Sequence, residues 1–85
     1  MRAKNILRYN YKKQAFQGWR LAISRNGEKF VKYFADSRYN DYREAFRAAV
    51  EARNEILKEL NKPGAVPAIV FAAAKEWLKD EGEES

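Results

Sequence analysis

Cysteine and histidine are both absent from this chain of 85 residues. Their absence excludes disulfide bonds, zinc fingers, thiol nucleophiles and histidine general bases. No apolar run approaches the roughly 20 residues of a membrane span, and no long apolar stretch follows the N-terminus, so neither a membrane span nor a secretory signal is expected. With no clustered acidic site either, we expect no enzymatic activity, no metal and no cofactor. The lack of cysteine is compatible with a reducing cytoplasm, and with the nucleoid if the source is bacterial.

Charge is distributed unevenly along the chain, whose net charge is +5. Residues 1–35 hold nine basic residues against one acid, Glu28, and are therefore +8. Residues 36–85 hold eight basic and eleven acidic residues and are therefore −3. A basic first half on an acidic second half predicts a surface that binds a polyanion, carried by a solubilising support.

The clearest structural signal is a hairpin. Between residues 19 and 25 apolar and polar side chains alternate, as in a strand buried on one face. Asn26-Gly27 follows, and this dipeptide favours a two-residue type I′ turn because both central residues need positive φ. The turn fixes the register with residues 28–34, so that Ile23 faces Phe30. One face then carries Trp19, Leu21, Ile23, Phe30, Lys32 and Phe34. The other carries Arg20, Ala22, Ser24, Lys29, Val31 and Tyr33.

An earlier strand is predicted over residues 6–12, with residues 13–18 as its connection to the hairpin. In this interpretation the apolar side chains of the strand point to the core, and its polar side chains point outward beside Arg20 and Lys29. The predicted core residues are Leu7, Tyr9 and Tyr11, and the predicted outward residues are Arg8, Asn10 and Lys12.

Helical signals dominate the second half of the chain. A helix is predicted from about residue 41 to 60, capped by one of Asp36, Ser37, Asn40 or Asp41. The segment Pro63-Gly64 breaks it, and Pro67 opens a second helix over residues 68–79. The apolar stripe of that helix (Ile69, Val70, Ala73 and Trp77) is predicted to close the core or to form a homodimer interface. Residues 1–62 are thus a sheet-and-helix domain, and residues 63–85 add a linker, a helix and an acidic tail to it.

Four segments occur in a recognisable order: residues 18–23 (GWRLAI), 26–27 (NG), 33–34 (YF) and 44–52 (EAFRAAVEA). Over residues 6–60 the chain resembles the Apetala-type DNA-binding domain of plant ethylene-response factors, and it is similar to bacterial, phage and integrase relatives of that domain. The resemblance implies an α+β fold in which a three-stranded antiparallel sheet packs on one long helix. It also implies that the sheet enters the DNA major groove while the helix packs behind it.

Carried over by position, the resemblance implies DNA contacts from outward residues of all three strands. The positions near the turn are expected to reach phosphates. Val31 and Tyr33 are expected either to touch sugars or thymine methyls or to be covered by the second helix. The candidate site residues are Arg8, Asn10, Lys12, Arg20, Ala22, Ser24, Arg25, Lys29, Val31 and Tyr33.

The leading hypothesis is sequence-specific binding of double-stranded DNA, by a transcriptional regulator or by an accessory domain of a mobile element. Lysine and arginine neutralise phosphate, and arginine or asparagine contacts guanine or adenine edges. Two alternatives stay open. One is a protein-interaction module or small inhibitor of a protein partner, and the other is an RNA-binding module that stacks bases on exposed aromatic rings.

Overall fold

The structure, a computed structural model, describes residues 1–11 and 16–82. Three strands form one antiparallel sheet in the order β1-β2-β3, and a short 3-10 turn at Asp36–Arg38 leads from the sheet to two helices. The α+β fold is confirmed. No helix within these ranges is long and apolar enough to cross a membrane. The elements are β1 (Ile6–Tyr11), β2 (Phe16–Arg25), β3 (Glu28–Ala35), α1 (Tyr42–Leu60) and α2 (Pro67–Trp77).

The β2–β3 hairpin has the predicted turn and register. Asn26 and Gly27 both have positive φ, 50° and 80°, as the primed turn requires. Ile23 lies opposite Phe30, and Trp19 lies opposite Phe34. One boundary differs from the prediction, because β2 begins at Phe16 and part of the expected connection therefore belongs to the strand.

Helix α1 begins at a side-chain cap. The Asp41 carboxylate accepts hydrogen bonds from the backbone N–H groups of Arg43 and Glu44, at 3.0 and 2.9 Å. These bonds satisfy donors that the first turn of a helix leaves unpaired. Further along, Ala45 and Ala49 are fully buried, since their small side chains let the helix lie close on the sheet.

The core lies between the helices and one face of the sheet, which we call the helix face. The indole of Trp19 is buried against the partly buried Phe46, with ring centroids 4.7 Å apart. Lys32 shares this face at 6% exposure, on a strand at the sheet edge. The hydrophobic face predicted for the hairpin is confirmed, since its apolar residues are all buried. The buried residues that the sheet and α1 contribute include Ile6, Trp19, Leu21, Ile23, Phe30, Phe34, Ala45, Ala49, Ala52 and Ile56.

The second helix packs through a different stripe from the predicted one. Phe71, Ala74 and Leu78 are buried, and the Phe71 ring lies 5.9 Å from that of Phe30. Ile69 and Trp77, which were predicted to close the core, are 67% and 47% exposed. Residues 71, 74 and 78 have the three- and four-residue spacing of one helix face. The helix is turned so that this face, with its phenylalanine, meets β3 and α1.

Candidate nucleic-acid interface

The sheet face opposite the helices is called the outer face. Both helices pack on the other side, because their buried residues join one core with those of the helix face. Among the described residues, the charged side chains of the outer face are Arg20 and Lys29, and its register positions include no acid. The register positions of the outer face are Leu7, Tyr9, Tyr11, Phe16, Gly18, Arg20, Ala22, Ser24, Lys29, Val31, Tyr33 and Ala35.

The hairpin residues of the candidate site lie where the alternation places them. Arg20 is in the central strand, with Leu7 of β1 on one side and Tyr33 of β3 on the other. Ser24 faces Lys29 near the turn, and both are exposed. Arg20, Val31 and Tyr33 are half-buried among their neighbours. The middle of the outer face is therefore braced, and its turn end is open.

Arg25 lies at the tip of the hairpin, opposite Glu28. It is exposed, and its guanidinium donates to the Ser24 carbonyl at 2.9 Å. By register Arg25 has the phase of Ile23 and of the helix face, but it lies next to the turn, beyond the residues that α1 and α2 cover. It is suited to reach a phosphate rather than a base edge.

The predicted orientation of β1 is wrong. Arg8 pairs with Trp19 and Asn10 pairs with Gln17, which places both on the helix face. Leu7 and Tyr9 are on the outer face instead, and Leu7 is 57% exposed. A shift of one residue in register exchanges the two faces of a strand. Lys12, the third candidate on this strand, lies outside the described residues.

Arg8 is held on the helix face by three groups. Its guanidinium makes a bidentate ion pair with Asp36, at 2.8 and 2.6 Å. The same group lies 4.9 Å from the ring centroid of Trp19 and 5.7 Å from that of Tyr42. Hydrogen bonding to Asp36 raises the pKa of Arg8 further above its usual value. Such an arrangement stabilises an arginine beside the core, since the charge is paired and stacked on aromatic rings.

Trp19 couples this ion pair to the central strand. Its indole N–H donates to the Tyr42 carbonyl at 2.8 Å, and its side chain is 4% exposed. The neighbouring residue, Arg20, projects from the opposite face of the same strand. The backbone from which Arg20 projects is therefore fixed by a buried, hydrogen-bonded indole.

An aromatic cluster on the outer face escaped the sequence analysis, which assigned Tyr9 to the core and Phe16 to a connection. Tyr9 and Phe16 each contact Tyr33 edge-on, with ring centroids 5.7 Å away. All three rings are half-buried. Phe16 lies over Gly18, where a β-carbon would come within 2.8 Å of its ring. Side chains of β2 alternate between the two faces, so Phe16 and Gly18 share the face of Arg20. Extending this alternation back to Phe16 would have indicated an aromatic ring on the outer face.

A groove of about 600 Å³ lies at the β1 edge of the sheet. Arg2 and Lys4 line it together with Leu7 of the outer face. The segment is anchored to α1, because Arg53 donates to the Lys4 carbonyl at 3.1 Å. The β1 edge therefore presents two cations beside the outer face, whereas the charge of Arg8 in the same groove is offset by Asp36.

Comparisons of the chain with protein families, with curated proteins and with solved structures found no match. The resemblance to the ethylene-response-factor domain therefore stays a prediction that depends on the quoted segments. The function has to be inferred from the shape, charge and chemistry of the outer face.

Proposed function

We propose that the outer face binds the major groove of double-stranded DNA in a sequence-specific manner. The observation that carries the proposal is the segregation of the sheet into a face on which both helices pack and an opposite face whose charged side chains, among the described residues, are Arg20 and Lys29, both basic. Three strands about 4.8 Å apart are about 10 Å wide between their outer axes, which suits a major groove about 12 Å wide.

The proposed contacts divide by position. Arg20 is the proposed base-contacting residue, because it is central and its backbone is braced by Trp19. A guanidinium there has the geometry to donate to both O6 and N7 of guanine. Val31 is suited to an apolar contact with a thymine methyl. Lys29 and Arg25, near the turn, are proposed to bind phosphates, which position the protein without specifying sequence.

The β1 edge extends this surface. Arg2 and Lys4 are proposed to bind phosphates on the strand that borders that side of the groove. Arg8 and Asn10 are not included, since the register turns both toward the helix face. Within the proposal the cellular role is that of a transcriptional regulator or of an accessory domain of a mobile element.

The experiment is an enrichment of random duplexes on the purified chain, followed by binding measurements on the selected and a scrambled duplex. Four to five phosphate contacts predict a slope of log affinity against log salt of roughly −4. Arg47→Ala is the control for Arg20→Ala, because Arg47 is an exposed arginine on α1 and its loss changes the net charge equally. Affinity without a salt slope would overturn the proposal and favour a protein partner.

Single-stranded RNA is the second candidate, and the Tyr9–Phe16–Tyr33 cluster favours it. Bases stack on aromatic side chains, and such contacts contribute about 1–3 kcal/mol per base. The edge-on packing of the rings against one another favours duplex binding, because it leaves little room for a base to insert. Matched duplex and single-stranded probes distinguish the candidates. Tyr33→Leu should weaken binding of the single strand much more than binding of the duplex if RNA is the ligand.

A further inference from the structure

A second groove, of about 290 Å³, lies at the opposite edge of the sheet, between β3 and the second half of α2. Its lining consists of Phe30, Val31, Lys32, Lys75 and Lys79. The sequence predicted that α2 closes the core or forms a dimer interface, and it indicated no ligand for these lysines. The groove therefore gathers cations from two elements that are distant in the sequence.

Packing positions the backbone that carries Lys75, in α2, and Lys79, just after the helix. Ala74 and Leu78 are buried in the core, and each directly precedes a lysine of the groove. Lys75 lies in α2 and Lys79 lies in the turn that follows the helix, and both line the groove. Lys32, from the strand, is 6% exposed, with its ammonium 5.9 Å from the centroid of the Phe34 ring. Three cationic residues thus border a space whose lining, as described, includes no carboxylate.

The backbone adds a donor to the same edge. Ala22 donates its N–H to Asn5 of the neighbouring chain segment, at 2.9 Å, and therefore does not bond to its β3 partner, Val31. In an antiparallel pair of this kind the N–H and C=O of Val31 point away from β2. Ala35 lies four residues after Val31 in β3, so its N–H points in the same direction, away from β2. It donates to the Gly82 carbonyl at 2.7 Å. The Val31 N–H is thus directed toward the side of the sheet where the groove lies.

One carboxylate beside the groove already has a partner. Glu76 pairs with Lys79 at 2.9 Å, and both side chains are more than half exposed. The Asp80 carbonyl accepts a hydrogen bond from Arg38 at 3.3 Å, which holds this part of the backbone near the 3-10 turn. The exposed Lys79–Glu76 pair is weak, so a phosphate can compete with Glu76 for the ammonium group.

The groove is continuous with the outer face, because Val31 belongs to both. The major groove of DNA is only slightly wider than three strands. A duplex bound to the outer face therefore places one of its phosphate backbones at each edge of the sheet. The β1 edge already presents Arg2 and Lys4. The β3 edge presents Lys75 and Lys79 in the corresponding place.

We propose that this β3-edge groove binds a phosphodiester of the duplex, with Lys75 and Lys79 as the ligands. The inference rests on the proposed function and deepens it, because it makes α2 part of the DNA-binding surface. The two edges of the sheet then hold the two phosphate backbones, and the outer face between them contacts the bases.

The test compares two double variants. Lys75→Gln with Lys79→Gln removes the proposed ligands. Lys58→Gln with Lys62→Gln is the matched control, because it removes two exposed lysines of which one, Lys62, also pairs with a glutamate at i−3. Duplex binding is measured over a range of salt concentrations, with thermal melts to confirm folding. The groove variant should lose several-fold in affinity, and its salt slope should be shallower by about 1–2, while the control stays near the wild type.

Equal behaviour of the two double variants would overturn the inference. The proposed function would still stand if the wild type binds duplex with a steep salt slope and Arg20→Ala weakens it. A flat wild-type slope would overturn both. Inorganic phosphate and tripolyphosphate distinguish the source of the anion. If tripolyphosphate shifts the Val31 amide resonance without competing with duplex, the groove binds a free anion and the phosphodiester proposal is wrong.

Discussion

Replacing Arg8 by methionine should destabilise the fold while leaving duplex binding intact. Methionine keeps most of the apolar stem but removes the guanidinium that lies over Trp19 and pairs with Asp36. The sequence alone would place Arg8 among the DNA contacts. The structure places it on the other face of the sheet. Arg8→Met should therefore lower stability and leave duplex binding unchanged, whereas Arg20→Ala should weaken duplex binding and leave stability unchanged.

The magnitude follows from the contacts. A cation–π contact at 4.9 Å contributes about 0.5–1 kcal/mol when it is partly exposed. The ion pair with Asp36 is bidentate, and the two side chains are 32% and 19% exposed. It should therefore contribute about 1–2 kcal/mol, between the surface and buried limits. A total of about 2 kcal/mol lowers the melting temperature of a domain this small by roughly 8–16 °C.

Urea unfolding of a double-mutant cycle measures this directly. Arg8→Met, Asp36→Asn and the combined variant should show a coupling energy of about 1 kcal/mol. Binding to the selected duplex is measured at a temperature where every variant is folded. In this binding measurement the combined variant, which removes both charges of the ion pair, should have the same duplex affinity as the wild type. If Arg8→Met melts like the wild type and yet loses duplex affinity about tenfold, the guanidinium contacts DNA and the assignment of faces is wrong.

Four further predictions test other parts of the structure. Arg20→Ala should cost about 1–3 kcal/mol on the selected duplex and relax one base position, whereas Lys29→Ala should weaken all duplexes alike and reduce the salt slope by about 1. Gly18→Ala should destabilise the fold by about 1–3 kcal/mol in urea, because its β-carbon would clash with the Phe34 carbonyl and lie 2.8 Å from Cζ of Phe16. Burial raises the pKa of Tyr39 to about 12. The stability that neutral Tyr39 contributes is therefore fully present below about pH 10 and is lost as the pH rises to about 12, so Tyr39→Phe should gain stability relative to the wild type between about pH 10 and 12. A homodimer through α2 should be weak, because a single helix of 11 residues offers less than the roughly 1,000 Å² of a stable interface, and Trp77→Lys should abolish it in sedimentation velocity.

Local chemistry made the hairpin predictable. Asn26-Gly27 specifies both a turn and a register, and the register then assigns every residue of β2 and β3 to a face. No comparable dipeptide joins β1 to β2, so the face of β1 had to be inferred from hydrophobicity alone. That inference failed because Tyr9 packs with Tyr33 on the outer face, and because the partner of Arg8, Asp36, is 28 residues away in the sequence.

The two helices differ in predictability for a similar reason. In α1, alanines at helical spacing lie between charged residues, so the buried face was evident. In α2, residues 68–74 are all apolar, and a helix that is apolar all round does not indicate by its periodicity which side is buried. Tertiary packing selected Phe71, whose ring meets Phe30. The predicted stripe with Ile69 and Trp77 was left at the surface.

The misassigned residues explain how one thin sheet can present two different faces. Successive side chains of a strand point to opposite faces of the sheet, so each basic residue lies either on the helix face or on the outer face. Arg8 lies on the helix face, where Asp36 and two aromatic rings stabilise its charge. Arg20, on the adjacent strand and the opposite face, has no acid among its described outer-face neighbours. Arg8 therefore contributes to the stability of the fold, whereas the proposed base contact belongs to Arg20 on the opposite face, and substitutions at the two positions separate stability from binding.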